Sequence, residues 1–215
     1  LLLQSLVGKG KKGDLYADLL GSATGLFLAS FLWVHMLFVA TILFGTTIFN
    51  YVPHILDATY ISYFGIAMVI FAILLHLVMA GRRIPTRFQE QRIVWQHARR
   101  LGHRDTWLWV LQIITGMTIL ILASIHIFIV LWGWPIDAAT SAGRIQDRLI
   151  WLYLILLPVG ELHAGIGVYR LFVKWGWIER DQVRKVLNIV TLTIVGLGMA
   201  ALMVFYFLIS AEGAL

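Results

Sequence analysis

Apolar residues run almost unbroken through five stretches of this chain, at about 22–49, 60–81, 106–132, 149–174 and 186–210, and each is long enough for the roughly 20 residues that cross a hydrocarbon core. Polar residues gather between them. Runs of this length predict membrane-spanning helices, because lipid offers no partner to unpaired backbone and a helix satisfies its own. The pattern therefore predicts an all-α membrane protein, with residues 1–215 forming one transmembrane domain. The first run starts too far into the chain, is too long and lacks a small-residue cleavage site, so it is expected to remain in the mature protein rather than act as a signal peptide. Between the spans, NYVPHILDATY (50–60) reads as a loop, and RRIPTRFQEQRIVWQHARRLGHRD (82–105) as a long basic linker, partly amphipathic. No repeat or low-complexity segment is evident.

Composition agrees: 60% of residues are hydrophobic and 13% charged, and the mean hydropathy is +0.85. The net charge of +6 could suggest nucleic acid, but the basic residues fall between apolar runs rather than along one patch, which argues against it. Their distribution instead orients the chain, since positive loops stay in the cytoplasm. Lys9, Lys11, Lys12, the seven arginines from Arg82 to Arg104, and Arg170, Lys174, Arg180, Arg184 and Lys185 fall on one side, leaving Arg144 and Arg148 on the other, out of 17 Lys and Arg in all. The N-terminus is thus expected in the cytoplasm and the C-terminus outside. The chain has no cysteine, which removes thiolate-bound zinc, iron–sulfur clusters and covalent c-type haem from consideration. Any redox centre must use nitrogen or oxygen ligands.

Four histidines fall one each on the first four spans: His35, His76, His126 and His163. One such histidine is commonly a neutral ring bonded to a neighbouring helix; four on successive helices ask for more. Measured from the cytoplasmic end at ~1.5 Å per residue, His76 and His163 lie in an inner tier and His35 and His126 in an outer one. Two axial imidazoles on facing helices are what a six-coordinate b-type haem requires. Small neighbours, Gly160 and Gly167 near His163, Ala72 and Ala80 near His76 and Ala123 near His126, suit a porphyrin approaching the helices or ordinary close helix packing equally. Zinc fits less well, because each tier supplies two ligands rather than three or four.

The segments SATGLFLASFLWVHM (22–36), FAILLHLVMAGRRIP (71–85), TGMTILILASIH (115–126) and ELHAGIGVYRLFVKWGW (161–177) resemble the dihaem cytochrome b anchors of succinate dehydrogenases and menaquinol:fumarate reductases, over nearly the whole chain. The resemblance implies five transmembrane helices, the first four forming a dihaem-binding bundle, with two b haems: a proximal one on His76 and His163 and a distal one on His35 and His126. It implies electron transfer between menaquinol and a cytoplasmic iron–sulfur subunit, with a flavoprotein subunit carrying the dicarboxylate site, in the inner membrane of an anaerobically respiring bacterium. Residues 82–104 would form the landing surface for those partners, and a dimer of heterotrimers is compatible with the family. Ser22, Trp109 and Lys174 match positions that hold proximal propionates, and Arg144, or Arg148 one loop turn later, matches the partner of the distal ones. Gly21 stands where relatives can place a glutamine. Asp57 aligns with a glutamate of the quinol site but is one methylene shorter, and His54 is a neighbouring helper.

Glu161 lies two residues from His163, about 200° around the helix, so it faces another part of the bundle and cannot be a haem ligand. A carboxylate at that depth is costly when charged. It is either a permanently neutral acid bonded to a neighbouring helix or, as the resemblance implies, a relay that carries protons inward as electrons move inward. Pro158 frees the Leu154 carbonyl one turn earlier for such a partner. Two other readings remain: the cytochrome b anchor of a hydrogenase or formate dehydrogenase, against which ligands on four separate helices argue, and a haem-free transporter or structural anchor.

Overall fold

The structure, a computed structural model, describes residues 12–82 and 84–207. Lys9, Lys11 and Arg83 of the basic set, and the end of the fifth predicted span at 208–210, lie outside the described residues. Helix and turn account for the described chain, with no strand among these residues. Its helices are α1 (Lys12–Ala40), α2 (Thr46–Ala58), α3 (Ile61–Gly81), α4 (Phe88–Leu101), α5 (Arg104–Trp132), α6 (Ala138–Arg144), α7 (Ile150–Trp175) and α8 (Arg180–Phe207).

Among the described residues, five helical stretches are long and apolar enough to span a membrane: Gly13–Phe44, Ile61–Gly81, Arg104–Trp132, Ala138–Trp175 and Arg180–Phe207. The protein is a multi-pass helical membrane protein. Several boundaries differ from the sequence pattern. The first span does not continue to residue 49: a 3-10 turn at Thr41–Phe44 ends it at Gly45, whose φ of 109° is open to glycine and closed to most other residues. Nor is the next segment the loop expected from its sequence. Residues 46–58 form α2, with Pro53 inside it, held by burial of Phe49 edge-on against Phe205, ring centroids 5.3 Å apart, and by the Asn50 side-chain oxygen, which accepts the Ala138 N–H at 2.7 Å. These tertiary contacts outweigh the turn propensities of Asn50 and Pro53. The fifth span begins earlier than 186, at Arg180, and the basic linker contains α4, with Arg99 and Arg100 in its last turn.

Packing explains how four helices present one histidine each. The helices α1 and α3 pack together, as do α5 and α7, and α1 against α7 joins the two pairs, while α8 packs on α1 and α7. At that three-helix contact Gly198 admits the ends of Leu157 and Met36, each 2.7 Å from where a Cβ would stand, the close approach that small residues allow between membrane helices. The buried cluster is centred here, on Met36, Leu157, Ile194 and Leu202, and continues into Ile42, Phe49 and Ala142 of the connecting segments. Elsewhere large apolar side chains such as Phe64, Phe71, Trp132 and Leu192 point outward. In water such a surface would be an aggregation hazard; in lipid it is the solvated face.

Candidate functional site

His35 stands on α1, His76 on α3, His126 on α5 and His163 on α7. The rings of His35 and His126 meet with centroids 6.2 Å apart, inclined at 63°. The structure thus brings His35 on α1 and His126 on α5 ring to ring, while His76 on α3 and His163 on α7 each meet a threonine of another helix.

The inner tier is lined by hydroxyls and bare backbone. Thr24 Oγ1 lies 3.2 Å from His76 Nδ1 and Thr115 Oγ1 lies 3.0 Å from His163 Nδ1. A Cβ at Gly25 or Gly116 would stand 3.0 Å from Cε1 of His76 or His163 respectively. Gln112 donates from Nε2 to the His163 carbonyl at 3.2 Å. The outer tier is lined by rings and a cation. Phe31 stacks on His35 at 5.6 Å, Tyr153 meets His126 edge-on at 5.6 Å, and Arg144 donates to the Gly133 carbonyl just past the end of the His126 helix. His126 Nδ1 is buried without a hydrogen-bond partner.

These surroundings fit a pair of b haems. Each tier offers two imidazoles from facing helices, and among the described residues no three His, Cys, Asp or Glu side chains are placed to hold a metal ion together, so a tetrahedral zinc site lacks its ligands. The glycine faces beside His76 and His163 are flat where a side chain would crowd the ring, and the unpartnered His126 nitrogen is a buried polar atom that calls for a partner. The glycines predicted to matter stand elsewhere: Gly167 faces the Gln112 amide at 3.1 Å and Gly160 has only Leu32 near, at 4.0 Å.

Of the residues matched to propionates, Lys174 bonds Asp18 on α1 at 3.1 Å and lies over the Trp175 ring, 5.3 Å from its centroid. Arg82 from α3 binds Asp18 as well, together with Asp14 at 2.9 Å. Ser22 follows Asp18 by one turn and so shares its side of α1; Trp109 is half-buried on α5. Arg144 donates to the Gly133 carbonyl, and Arg148 takes φ 100° in the kink before α7 with its side chain exposed.

Glu161 is among the most buried side chains, 1% exposed. Trp33 Nε1 on α1 donates to its Oε2 at 3.0 Å and Thr191 Oγ1 on α8 donates to its Oε1 at 3.0 Å. It faces α1 and α8 while His163 faces α5, as their separation around the helix requires. Asp57 lies near the end of α2, where its Oδ1 is buried without a partner; His54, on the same helix, is exposed. Sequence reasoning missed Thr24, Thr115, Gln112, Trp33, Thr191 and Asp18, all on helices other than that of the residue they touch. The one linear signal was the Thr-Gly dipeptide, present at 24–25 and again at 115–116.

Fold and site together define a class, a multi-pass helical membrane protein with one histidine on each of four spanning helices. The family described as Succinate dehydrogenase/Fumarate reductase transmembrane subunit matches residues 89–210, and the chain belongs to that family. It is 35% identical over 174 residues to the fumarate reductase cytochrome b subunit of Wolinella succinogenes, covering 76% of this chain and 68% of that one. It is 34% identical over 186 residues to the protein of the same name from Helicobacter pylori, covering 81% of this chain and 73% of the relative.

Proposed function

We propose that this chain is the membrane electron-transfer subunit of a menaquinol:fumarate reductase or succinate:quinone oxidoreductase, working with an iron–sulfur subunit and a flavoprotein subunit in a bacterial inner membrane. The observation that carries the reading is the meeting of the His35 and His126 rings across facing helices, supported by relatives named as cytochrome b subunits. His76 and His163 would hold the proximal haem, and His35 and His126 the distal one; when bound, the haems supply reversible one-electron transfer. Lys174 and Ser22 stand at the inner end to receive proximal propionates, with Trp109, and Arg144 stands beside His126 for the distal ones. The basic residues from Arg82 to Arg104 form the cytoplasmic face for docking, which places the N-terminus inside and the C-terminus outside.

The protein's remaining work is with protons. Asp57 Oδ1, buried and unpartnered, suits acceptance of a quinol hydroxyl near the outer tier. At Glu161 the two carboxylate oxygens differ in kind. The Trp33 indole can only donate, so Oε2 is fixed as an acceptor, while a hydroxyl can donate or accept. A proton taken up by Glu161 therefore goes to Oε1, and Thr191 turns its hydroxyl to receive the new bond. Neutralisation at this depth would accompany inward electron movement and compensate its charge. Purification from the native membrane tests the proposal. Copurification of an iron–sulfur and a flavin subunit with quinol-linked fumarate or succinate activity supports it; a haem-free chain with neither partner contradicts it.

A further inference from the structure

The two inner histidines are met by the same dipeptide from the neighbouring helix, Thr24-Gly25 for His76 and Thr115-Gly116 for His163. Each threonine hydroxyl spends its proton within its own helix. Thr24 Oγ1 donates to the Leu20 carbonyl at 2.8 Å and Thr115 Oγ1 to the Leu111 carbonyl at 2.7 Å. The oxygen is then left with lone pairs toward the ring, and the bond to Nδ1 requires Nδ1 to carry the hydrogen. On His163 the far nitrogen agrees. The Gln112 amide, oriented by its bond to the His163 carbonyl, brings an N–H to 3.4 Å from Nε2, which suits a nitrogen bearing a lone pair. The glycine beside each threonine lets the ring edge come to 3.0 Å of the Cβ position, so dipeptide and ring are matched as a unit.

We propose that Thr24 and Thr115 are positioning residues that hold His76 and His163 in the Nδ1–H tautomer, turn Nε2 toward the haem iron, and lower the potential of the inner haem by strengthening both ligands. An imidazole whose outer N–H is bonded to an acceptor becomes a better donor to its metal, and a stronger donor favours ferric over ferrous iron. Nothing comparable meets the outer tier, where His126 Nδ1 lacks a partner and His35 is stacked on Phe31. The device acts on one haem of the two.

The inference rests on the proposed haem binding, and one experiment separates them. The purified complex is titrated potentiometrically, following haem absorbance and low-temperature electron paramagnetic resonance, in the parent and in Thr24→Val, Thr115→Val, the two Thr→Ser variants and Thr118→Val. Thr118 is the control, because its hydroxyl bonds only the Ile114 carbonyl of its own helix. Each Val variant at 24 or 115 should shift the same component to higher potential and alter its ferric resonance. The other component should stay in place, Ser should restore the parental value, and Thr118→Val should change neither. If a Val variant loses the inner haem outright, retention of that haem by the Ser variant supports a requirement for the hydroxyl, and loss from both contradicts it. Unmoved potentials, or movement of the component that His35→Ala removes, overturn the proposal while leaving the haem reading intact. A parental complex without haem overturns the haem reading itself.

Discussion

His76 and His163 sit among hydroxyls and glycine faces, whereas His35 and His126, with the same donor atoms on the same kind of helix, sit among aromatic rings and a guanidinium. Most of the difference comes from neighbouring helices; the exception is Phe31, one turn before His35 on α1 itself. Thr24-Gly25 of α1 shapes the surroundings of His76 on α3, and Thr115-Gly116 of α5 shapes those of His163 on α7. Tyr153 and Arg144, near the start of α7 and in α6, do the same for His126. The inner tier is therefore adjusted through bonds to its ligands and the outer tier through packing and charge around them.

The strongest way to break this comparison is to remove a ligand. His76→Ala or His163→Ala should abolish the same spectral component and leave one haem per chain, with lower yield of assembled complex because an apolar pocket loses its occupant. His35→Ala and His126→Ala should abolish the other. Loss of one shared component from His35→Ala and His163→Ala would mean that the tiers are wrongly paired.

Next in size is Glu161→Gln, which separates proton handling from both tiers. Its amide fills the space between Trp33 and Thr191 but cannot take up a proton, so quinol-linked turnover should fall by at least about tenfold, the equivalent of ~1.4 kcal/mol in barrier. Both haem spectra should remain, and fumarate reduction with a soluble artificial donor should persist. Parental quinol turnover would make Glu161 a packing residue only. Asp57→Asn should act more mildly, by roughly three- to tenfold on menaquinol oxidation, since the amide keeps one acceptor oxygen and loses only the charge assistance. Haem spectra again serve as the control, and unchanged turnover would remove Asp57 from the quinol site.

Gly116→Ala gives the smallest effect and the finest test of the inner surroundings. Its Cβ would stand 3.0 Å from His163 Cε1, so the ring must yield by a few tenths of an ångström. The inner component's ferric resonance should shift with haem content retained. Gly160→Ala, with its nearest neighbour Leu32 at 4.0 Å, should leave both components unchanged.

The existence of five spans, the placing of one histidine on each of four of them and the separation of Glu161 from His163 were legible in the sequence because each depends on spacing along one helix. Contacts between helices were not. That Glu161 lies between Trp33 and Thr191, or that Lys174 binds Asp18, depends on how α1, α7 and α8 are rotated against one another, which hydrophobic pattern leaves open when every face is apolar. The end of the first span was misread for a related reason. Apolar residues continue past Gly45 into α2, and only the left-handed backbone there separates a crossing helix from its successor. The kink at Asp147 and Arg148, which gives Arg148 a φ of 100°, was likewise not legible, because it lies in the backbone and not in the hydrophobic pattern.

The central claim, two haems held by two histidine pairs, is tested most directly by a potentiometric titration of the purified parental complex combined with a haem-to-polypeptide ratio. The account predicts two haems per chain, titrating as two separate one-electron b-type components. One haem per chain, or a spectrum unchanged by replacement of any of the four histidines, would contradict it.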